Sequence, residues 1–230
     1  GNPVLQGGIE ITATLASGTG TLGGVITATT DATGLASFTN LSVSGPIGPY
    51  TLAFGATDLR PDTSATITID PGFGVVDSTT AVVPTGTAGD TTTIVITVRD
   101  GAGNLVRGWA DSLMVAVSGA NDTTVTVTDN GDGTYTAAYI PLVSGMDSVA
   151  ITLNGAAIAH SPFESVVSPA SAAALRITTE PSAVAQSGIA FLQQPVIQVR
   201  DTLGNPVPQP GIAVTATVLS GAGALSGTVT

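Results

Sequence analysis

The 230-residue sequence contains neither cysteine nor lysine, and its single histidine is His160. Without cysteine the chain has no disulfide, no thiol nucleophile and no cysteine-based zinc site. One histidine cannot form a cluster of histidine metal ligands, and no Ser-His-Asp set can be argued around it. These absences exclude the commonest catalytic and cofactor chemistries, so we expect no enzyme activity and no cofactor.

Charge is also scarce, because Asp, Glu, Lys and Arg make up 9% of the sequence, against roughly 25% in typical domains. The net charge is −11, and the five arginines are scattered. No basic patch is available to neutralise phosphates, so we expect no nucleic-acid partner. No apolar run approaches the roughly 18 residues of a transmembrane helix, so we also expect no membrane insertion.

The residues that are abundant favour strands and turns. The chain has 36 threonines and 29 glycines, and hydrophobic residues make up 43% of it. Threonine favours strands, glycine favours turns, and this apolar content is enough for a packed core. The composition predicts an all-β protein.

Self-comparison shows that the chain repeats itself. The stretch "GNPVLQGGIEITATLASGTGTLGGVIT" at Gly1 and "GNPVPQPGIAVTATVLSGAGALSGTVT" at Gly204 share 16 of 27 positions at an offset of 203. A third copy lies between them, since "VRDGAGNLV" at Val98 matches "VRDTLGNPV" at Val199 at an offset of 101. A period near 100 residues is the size of an immunoglobulin-like β-sandwich.

The repeat predicts three units: a partial Ig-like domain over 1–69, a complete one over 75–168 and a second partial one over 169–230. For the middle unit the alternation of apolar and polar residues predicts seven strands. These are Thr79–Val83, Thr92–Arg99, Leu113–Ser118, Thr124–Asp129, Thr134–Ile140, Ser148–Asn154 and Phe163–Val167.

The outer units are expected to be incomplete. The first lacks its first two strands, and the third supplies such strands but stops about halfway. We interpret the sequence as a segment of a longer tandem array. A sharper hypothesis is that the two half-domains complement each other between neighbouring chains, as donor strands do.

The stretch "TVTVTDNGDGTYTAAYIP", from Thr124 to Pro141, is compatible with either a calcium loop or a hairpin turn. An EF-hand loop needs a ligand at position 1 and a bidentate Glu at position 12, and here these positions hold Thr128 and Tyr139. The flanks alternate with period 2, as in half-buried strands, and Asp-Gly suits a hairpin turn. We therefore predict a hairpin.

Calcium on surface carboxylates is retained as a weak alternative. The candidates are Asp129 and Asp132 in the predicted hairpin, and Asp70 and Asp77 near a predicted linker between domains. Trp109 is a candidate contact residue, because a tryptophan in a loop can anchor a partner, stack on a sugar or close the end of a sandwich. We favour closure of the sandwich or an interdomain contact.

Several motifs resemble known repeats. "TDATGLASFTNLSV" with "GNPVLQGGIEITATL" resembles the bacterial Ig-like repeats of large surface proteins of the invasin and intimin type, and "ITTEPSAVAQSG" with "VIQVRDTLGNPV" is similar to their first half. "DNGDGTYTAAYIP" followed by "HSPFESVV" resembles a filamin-type Ig repeat. One departure is Met146-Asp147-Ser148, where filamin-type repeats carry a Tyr that the first unit keeps as Tyr50.

The resemblance implies a tandem, extracellular and structural or adhesive role. Because the outward strand positions are largely small and neutral, we expect much of the surface to be covered, either by neighbouring domains or by glycans. The expected partners are identical chains or neighbouring repeats. The first function hypothesis is a subunit of a bacterial filament, stalk or sheath. The alternatives are spacer repeats of an adhesin whose binding tip lies elsewhere, an accessory segment of a secreted enzyme, and a cytoplasmic crosslinker of the filamin kind.

Overall fold

The computed structural model describes residues 4–227, and within that range the chain consists of short β-strands joined by turns. The helical segments in this range are two single 3-10 turns, Val76–Ser78 and Ala110–Ser112. None of the described helical segments is long and apolar enough to cross a membrane. The prediction of an all-β fold of Ig-like sandwiches, one complete and two partial, is confirmed.

The first unit has one larger and one smaller sheet, both antiparallel. The larger sheet has the order β3-β1-β5-β6, with β7 also pairing with β5, and the smaller is the pair β2-β4. The strands are β1 Glu10–Ser17, β2 Thr21–Gly23, β3 Thr27–Thr29, β4 Ser42–Ser44, β5 Gly48–Gly55, β6 Asp62–Thr63 and β7 Ile67–Ile69. Within residues 4–69, its buried hydrophobic side chains are Ala13, Tyr50 and Leu52.

The middle unit is a complete sandwich of two sheets. One sheet has the order β13-β14-β10-β8, and the other β12-β11-β15-β17-β9, with β16 added to β15. The strands are β8 Thr80–Val82, β9 Gly86–Thr87, β10 Thr92–Thr97, β11 Leu113–Gly119, β12 Thr123–Val125, β13 Val127–Asp129, β14 Thr134–Tyr139, β15 Gly145–Leu153, β16 Ala156–Ala157 and β17 Phe163–Ser168.

The core of this sandwich follows from the alternation in the sequence. Ile94 and Ile96 on β10 face Val149 and Ile151 on β15, and all four are fully buried. Their neighbours along each strand point outward, because successive side chains of a strand alternate between the two faces of the sheet. The alternation of apolar and polar residues in the sequence therefore matches the observed inner and outer faces.

Two of the predicted strands are wrong in detail. The segment Thr124–Asp129 is not a single strand, because it divides at Thr126 into β12, which pairs with β11, and β13, which pairs with β14. The chain passes from one sheet of the sandwich to the other at this point. The strand predicted at Ser148 also begins earlier, at Gly145.

The third unit contributes the antiparallel pair β18 (Ala174–Thr179) and β19 (Val196–Arg200). No hydrophobic side chain is fully buried in the described part of this unit, up to residue 227. Its buried residues are Asp201 and Asn205, in the loop after β19. The boundaries drawn between the three units from the sequence stay predictions.

Truncating the core tests the assignment of inner and outer faces. Ile96→Ala is expected to lower the free energy of unfolding by about 2–5 kcal/mol, since it leaves a cavity in the core. Val95→Ala is the matched control, because Val95 is 38% exposed on the outer face of the same strand. We expect it to change the stability by about 0.5 kcal/mol or less. Trp109 fluorescence during urea unfolding reports on this sandwich.

Candidate functional site: two equivalent joints

The loop that follows β10 is shaped by one carboxylate. Asp100 Oδ1 accepts hydrogen bonds from the backbone N–H of Ala102 at 2.9 Å and of Asn104 at 2.8 Å. Gly103 takes a φ of +87°, which favours glycine, and its carbonyl accepts a 2.8 Å bond from the Arg99 guanidinium. The residues Arg-Asp-x-x-Gly-Asn thus specify a compact loop that fixes the position of the Asn104 side chain.

The other oxygen of the same carboxylate holds the chain that enters the middle sandwich. Asp100 Oδ2 accepts from the backbone N–H of Gly72 at 2.8 Å and from Asn104 Nδ2 at 2.9 Å. Asn104 also reaches the first sandwich: its Nδ2 donates to the Gly45 carbonyl at 3.0 Å, and its Oδ1 accepts from the Ile47 N–H at 3.1 Å. The Asn104 side-chain amide thus donates to one backbone group of the preceding domain and accepts from another, as a backbone peptide group does.

The loop after β19 repeats this arrangement atom for atom. Asp201 Oδ2 accepts from the Ala170 N–H at 3.0 Å and from Asn205 Nδ2 at 2.9 Å. Asn205 Nδ2 donates to the Leu142 carbonyl at 3.0 Å, and its Oδ1 accepts from the Ser144 N–H at 2.9 Å. We call these two sets of contacts joint 1, built on Asp100 and Asn104, and joint 2, built on Asp201 and Asn205.

Both carboxylates are buried, Asp100 with 5% and Asp201 with 2% of its surface exposed. Burial alone raises the pKa of each carboxyl, because it removes water from the charged form. The hydrogen bonds from Asn104 and Gly72 outweigh burial and lower the pKa of Asp100 below its ordinary value. The same balance, with Asn205 as the strongest donor, lowers the pKa of Asp201. The surroundings of both carboxylates therefore favour the ionised form.

The first sandwich holds its half of joint 1 with a tyrosine. The Tyr50 hydroxyl lies 2.9 Å from the Thr19 carbonyl and 2.8 Å from the Pro46 carbonyl. A side chain at Gly45 has no room, because its Cβ would lie 2.7 Å from the Tyr50 hydroxyl. Tyr50 thus fixes the loop whose backbone atoms Asn104 recognises.

The middle sandwich holds the equivalent loop with different residues. Gly48 and Gly145, with φ of +141° and +149°, mark equivalent positions, so Asp147 stands where the first unit has Tyr50. Asp147 is fully buried and accepts bonds from the Asn121 N–H at 2.8 Å and the Tyr139 hydroxyl at 3.0 Å. Asn121 Oδ1 in turn accepts from the N–H groups at positions 142 and 143. This network explains the departure noted in the sequence at Met146-Asp147-Ser148.

The carboxylates predicted as calcium candidates in the hairpin accept hydrogen bonds from the chain itself. Asp129 accepts from the Gly131 and Gly108 N–H groups, each at 2.7 Å. Asp132 Oδ1 accepts from the Thr134 N–H at 2.9 Å and its hydroxyl at 2.6 Å. The hydrogen bond from the Thr134 hydroxyl contributes most to lowering the pKa of Asp132. The predicted hairpin is confirmed, since β13 and β14 pair across this turn.

The two linker candidates lie apart from any such arrangement. Asp70 and Asp77 are exposed, and Asp77 lies in the first 3-10 turn. Between residues 4 and 227, no three His, Cys, Asp or Glu side chains are grouped so that they could hold a metal ion. Calcium binding by the four aspartates stays a prediction.

Trp109 packs inside this chain. It is half-buried against the core of the middle sandwich, and its ring lies 6.0 Å from the ring of Phe73 at an interplanar angle of 51°. Its backbone N–H donates to the Tyr135 hydroxyl at 3.1 Å. The indole thus lies at the end of the sandwich beside the linker residue Phe73, which is 83% exposed. A further partner for Trp109 stays a prediction.

The joints were not identified from the sequence as a site. The sequence signal for them is the repetition of Val-Arg-Asp-x-x-Gly-Asn at an offset of 101, which by itself indicates only the period. A joint could have been predicted from an aspartate and an asparagine that recur together at the same position of each repeat. In both copies the pair lies beside a linker.

Comparison with known proteins agrees with the sequence resemblance. The Filamin/ABP280 repeat model matches residues 70–164, less than half of the chain. The Lin-41 filamin domain is 20% identical, with 41% of this chain and 95% of that chain covered and a TM-score of 0.38. The sequence of residues 70–164 thus matches the filamin-type repeat model, in agreement with the predicted resemblance.

Two bacterial proteins match over more of the chain. FdeC, an Escherichia coli adhesin, is 19% identical over 90% of this chain and 66% of its own, with a TM-score of 0.50. Invasin, described as a bacterial integrin-binding protein, is 19% identical over 88% of this chain and 41% of its own, with a TM-score of 0.47. The chain thus spans less than half of invasin, and the likeness is one of fold.

Removing the amides tests the joints. The double variant Asn104→Ala, Asn205→Ala loses both hydrogen bonds that each side chain makes to the preceding sandwich, and we expect greater freedom between the units. Small-angle X-ray scattering should show a broader distribution of overall dimensions. Asn130→Ala is the control, because the Asn130 side chain bonds only Thr134 and Thr136 within the hairpin. An unchanged scattering profile in the double variant would contradict the assignment.

The joints should loosen in acid. A carboxyl whose folded pKa lies below its unfolded value of about 3.9 stabilises the folded state above that value. This contribution is lost as the pH falls through the lowered folded pKa. We therefore expect constant scattering dimensions from pH 7 to about pH 5 and a broader distribution below about pH 4. The control Asp100→Asn, Asp201→Asn should have looser joints at pH 7 and a weaker dependence on pH.

Proposed function

We propose that this chain is a structural repeat segment of an extracellular bacterial surface protein. In this proposal it builds a filament, stalk or sheath through contacts between domains and completion of partial domains by strands. The observation that carries the proposal is that joints 1 and 2 use the same residue types and the same atoms. A catalytic role is not part of the proposal.

Equivalent joints suit a structural array for a simple reason. When each unit holds the one before it by the same contacts, one relation between neighbours is propagated along the chain. Each joint combines two hydrogen bonds from an amide to the preceding sandwich with a carboxylate that fixes the linker. Hydrogen bonds to a charged group are the stronger kind, and burial shields these from water. Such joints favour a stiff array over loosely tethered domains.

The composition is compatible with an extended, crowded surface structure. With 9% charged residues the outer sheet faces are mostly threonine, serine, alanine and valine. The matched proteins include adhesins, invasin and a surface-layer protein, as their names state. Extending their location to this chain is part of the proposal, since the likeness is one of fold.

A spacer in an adhesin is the second candidate. FdeC, named as an adhesin, covers 90% of this chain at a TM-score of 0.50. In that case the units described here carry a binding tip away from the cell, and the tip lies elsewhere in the protein. Stiff joints serve this role equally well. The two candidates therefore make the same demands on the chain and differ in whether its copies assemble with one another.

Electron microscopy of the native protein on its cells separates these candidates. Regular filaments or a sheath, with a repeat that matches one or two Ig-like units, are expected for a structural polymer. Separate strands anchored singly to the cell surface are expected for an adhesin spacer. Images that show neither arrangement, with the Ig-like units moving freely at every joint, would contradict both candidates.

A further inference from the structure

Joints 1 and 2 dock onto loops that are equivalent in geometry. We call residues 45–47 acceptor loop 1 and residues 142–144 acceptor loop 2. In each loop the first carbonyl accepts from the asparagine amide at 3.0 Å, and the N–H of the third residue donates to the asparagine oxygen, at 3.1 Å and 2.9 Å. A glycine with a φ of +141° or +149° follows each loop directly. The two acceptor loops therefore present the same pair of backbone atoms.

The side chains of the acceptor loops take no part in these bonds. Acceptor loop 1 has the sequence Gly-Pro-Ile and acceptor loop 2 has Leu-Val-Ser, so the two loops share no residue. Ile47 and Leu142 are each 55% exposed and Val143 is 49% exposed, although both joints are formed. A unit that docks on either loop thus meets the same backbone groups and is not selected by those side chains.

The loops that supply the asparagines are equivalent as well. We call residues 99–104 donor loop 1 and residues 200–205 donor loop 2, and each has the sequence Arg-Asp-x-x-Gly-Asn. The glycine has a φ of +87° in one and +88° in the other, and its carbonyl accepts from the arginine guanidinium at 2.8 Å and 2.7 Å. The two donor loops differ only at the variable positions, which hold Gly-Ala in the first and Thr-Leu in the second.

One variable residue lies near the sandwich that precedes it. A Cβ atom at Gly89 would lie 3.4 Å from Leu203 Cδ1, so this leucine approaches the middle sandwich at joint 2. Donor loop 1 has the smaller Ala102 at the same position. Overpacking arises when a side chain grows and not when it shrinks, so donor loop 1 meets no clash there on acceptor loop 2.

We propose that each acceptor loop is a general docking site, which accepts the donor loop of any unit and not only that of its present neighbour. Acceptor loop 2 then takes donor loop 1, so a second copy of the middle unit can follow the first through an equivalent joint. This inference rests on the proposed structural function and names the partner of each joint: any repeat that carries Arg-Asp-x-x-Gly-Asn. The number and order of units are set by the sequence of the array and not by selection at the joint.

Exchange of the donor loop within the chain is the first test. The variant Thr202→Gly, Leu203→Ala gives the third unit the residues of donor loop 1. Cysteines at Val95 and Val196 carry spin labels, since the chain has no cysteine of its own and these equivalent positions are 38% and 52% exposed. We expect the distance distribution between the two labels, measured by double electron–electron resonance, to keep its mean and its width in this variant.

Asn205→Ala is the matched control for the exchanged loop. It removes both bonds from donor loop 2 to acceptor loop 2, so the distance distribution should broaden. A distribution that the exchanged loop shifts, or broadens as Asn205→Ala does, would overturn the inference. It would show that the variable residues select the neighbour.

Duplication of the middle unit is the second test, because it places a complete sandwich on each side of acceptor loop 2. A second copy of residues 72–169 is inserted after Pro169, so that Gly72 takes the place of Ala170. These positions are equivalent, because the N–H of each donates to the aspartate of its own unit, at 2.8 Å and 3.0 Å. We expect labels at Val95 of both copies to give the same mean distance and width as the labelled pair of the single-copy chain.

The duplicated chain contains its own control. Asn104→Ala in the second copy alone should broaden the distribution between the two labels, because this asparagine docks on acceptor loop 2. The same change in the first copy should leave it unchanged, because that asparagine docks on acceptor loop 1. A broad or displaced distribution in the duplicated chain contradicts the general docking site, and so do equal effects of the two Asn104→Ala variants.

The inference and the proposed function fail by different results. A narrow distribution in the unmodified chain with a broad one in the duplicated chain overturns the general docking site and leaves the stiff array standing. Equal, narrow distributions support the general docking site even where electron microscopy of the native protein contradicts the proposed function. A broad distribution in the unmodified chain contradicts both.

Discussion

A buried carboxylate at each joint is the interaction on which the arrangement of the units depends. Asp100 and Asp201 each divide their two oxygens between two tasks. One oxygen shapes the loop of its own domain, and the other holds the linker and orients the asparagine that reaches the preceding domain. All the donors converge on one charge. The loop, the linker contact and the joint therefore form together.

The joints recognise backbone atoms of the preceding domain. Asn104 and Asn205 each bond one carbonyl and one N–H, so the side chains of the recognised loop are free to differ. The loops do differ in how they are held, by Tyr50 in the first sandwich and by Asp147 with its partners in the second. A fixed contact can thus be kept between domains whose sequences have diverged, as the first and middle units have.

Most of the fold could be predicted because alternation with period 2 is a local signal. The hairpin at Asp129 and the inner faces of β10 and β15 follow from it. The division of Thr124–Asp129 between two sheets could not, because alternation continues unbroken across Thr126. The joints were missed for a related reason: Asn104 bonds a carbonyl 59 residues earlier in the chain, and no local pattern encodes that distance.

The sequence by itself determined the all-β class, the period near 100 residues and the residues that line the middle core. The tertiary structure decided how neighbouring units are held together. Asn104 and Asn205 stand at the same place in two copies of one motif, and each bonds a carbonyl and an N–H of the preceding unit. The physical reason is that these bonds join residues about 60 positions apart, which only the folded chain brings together.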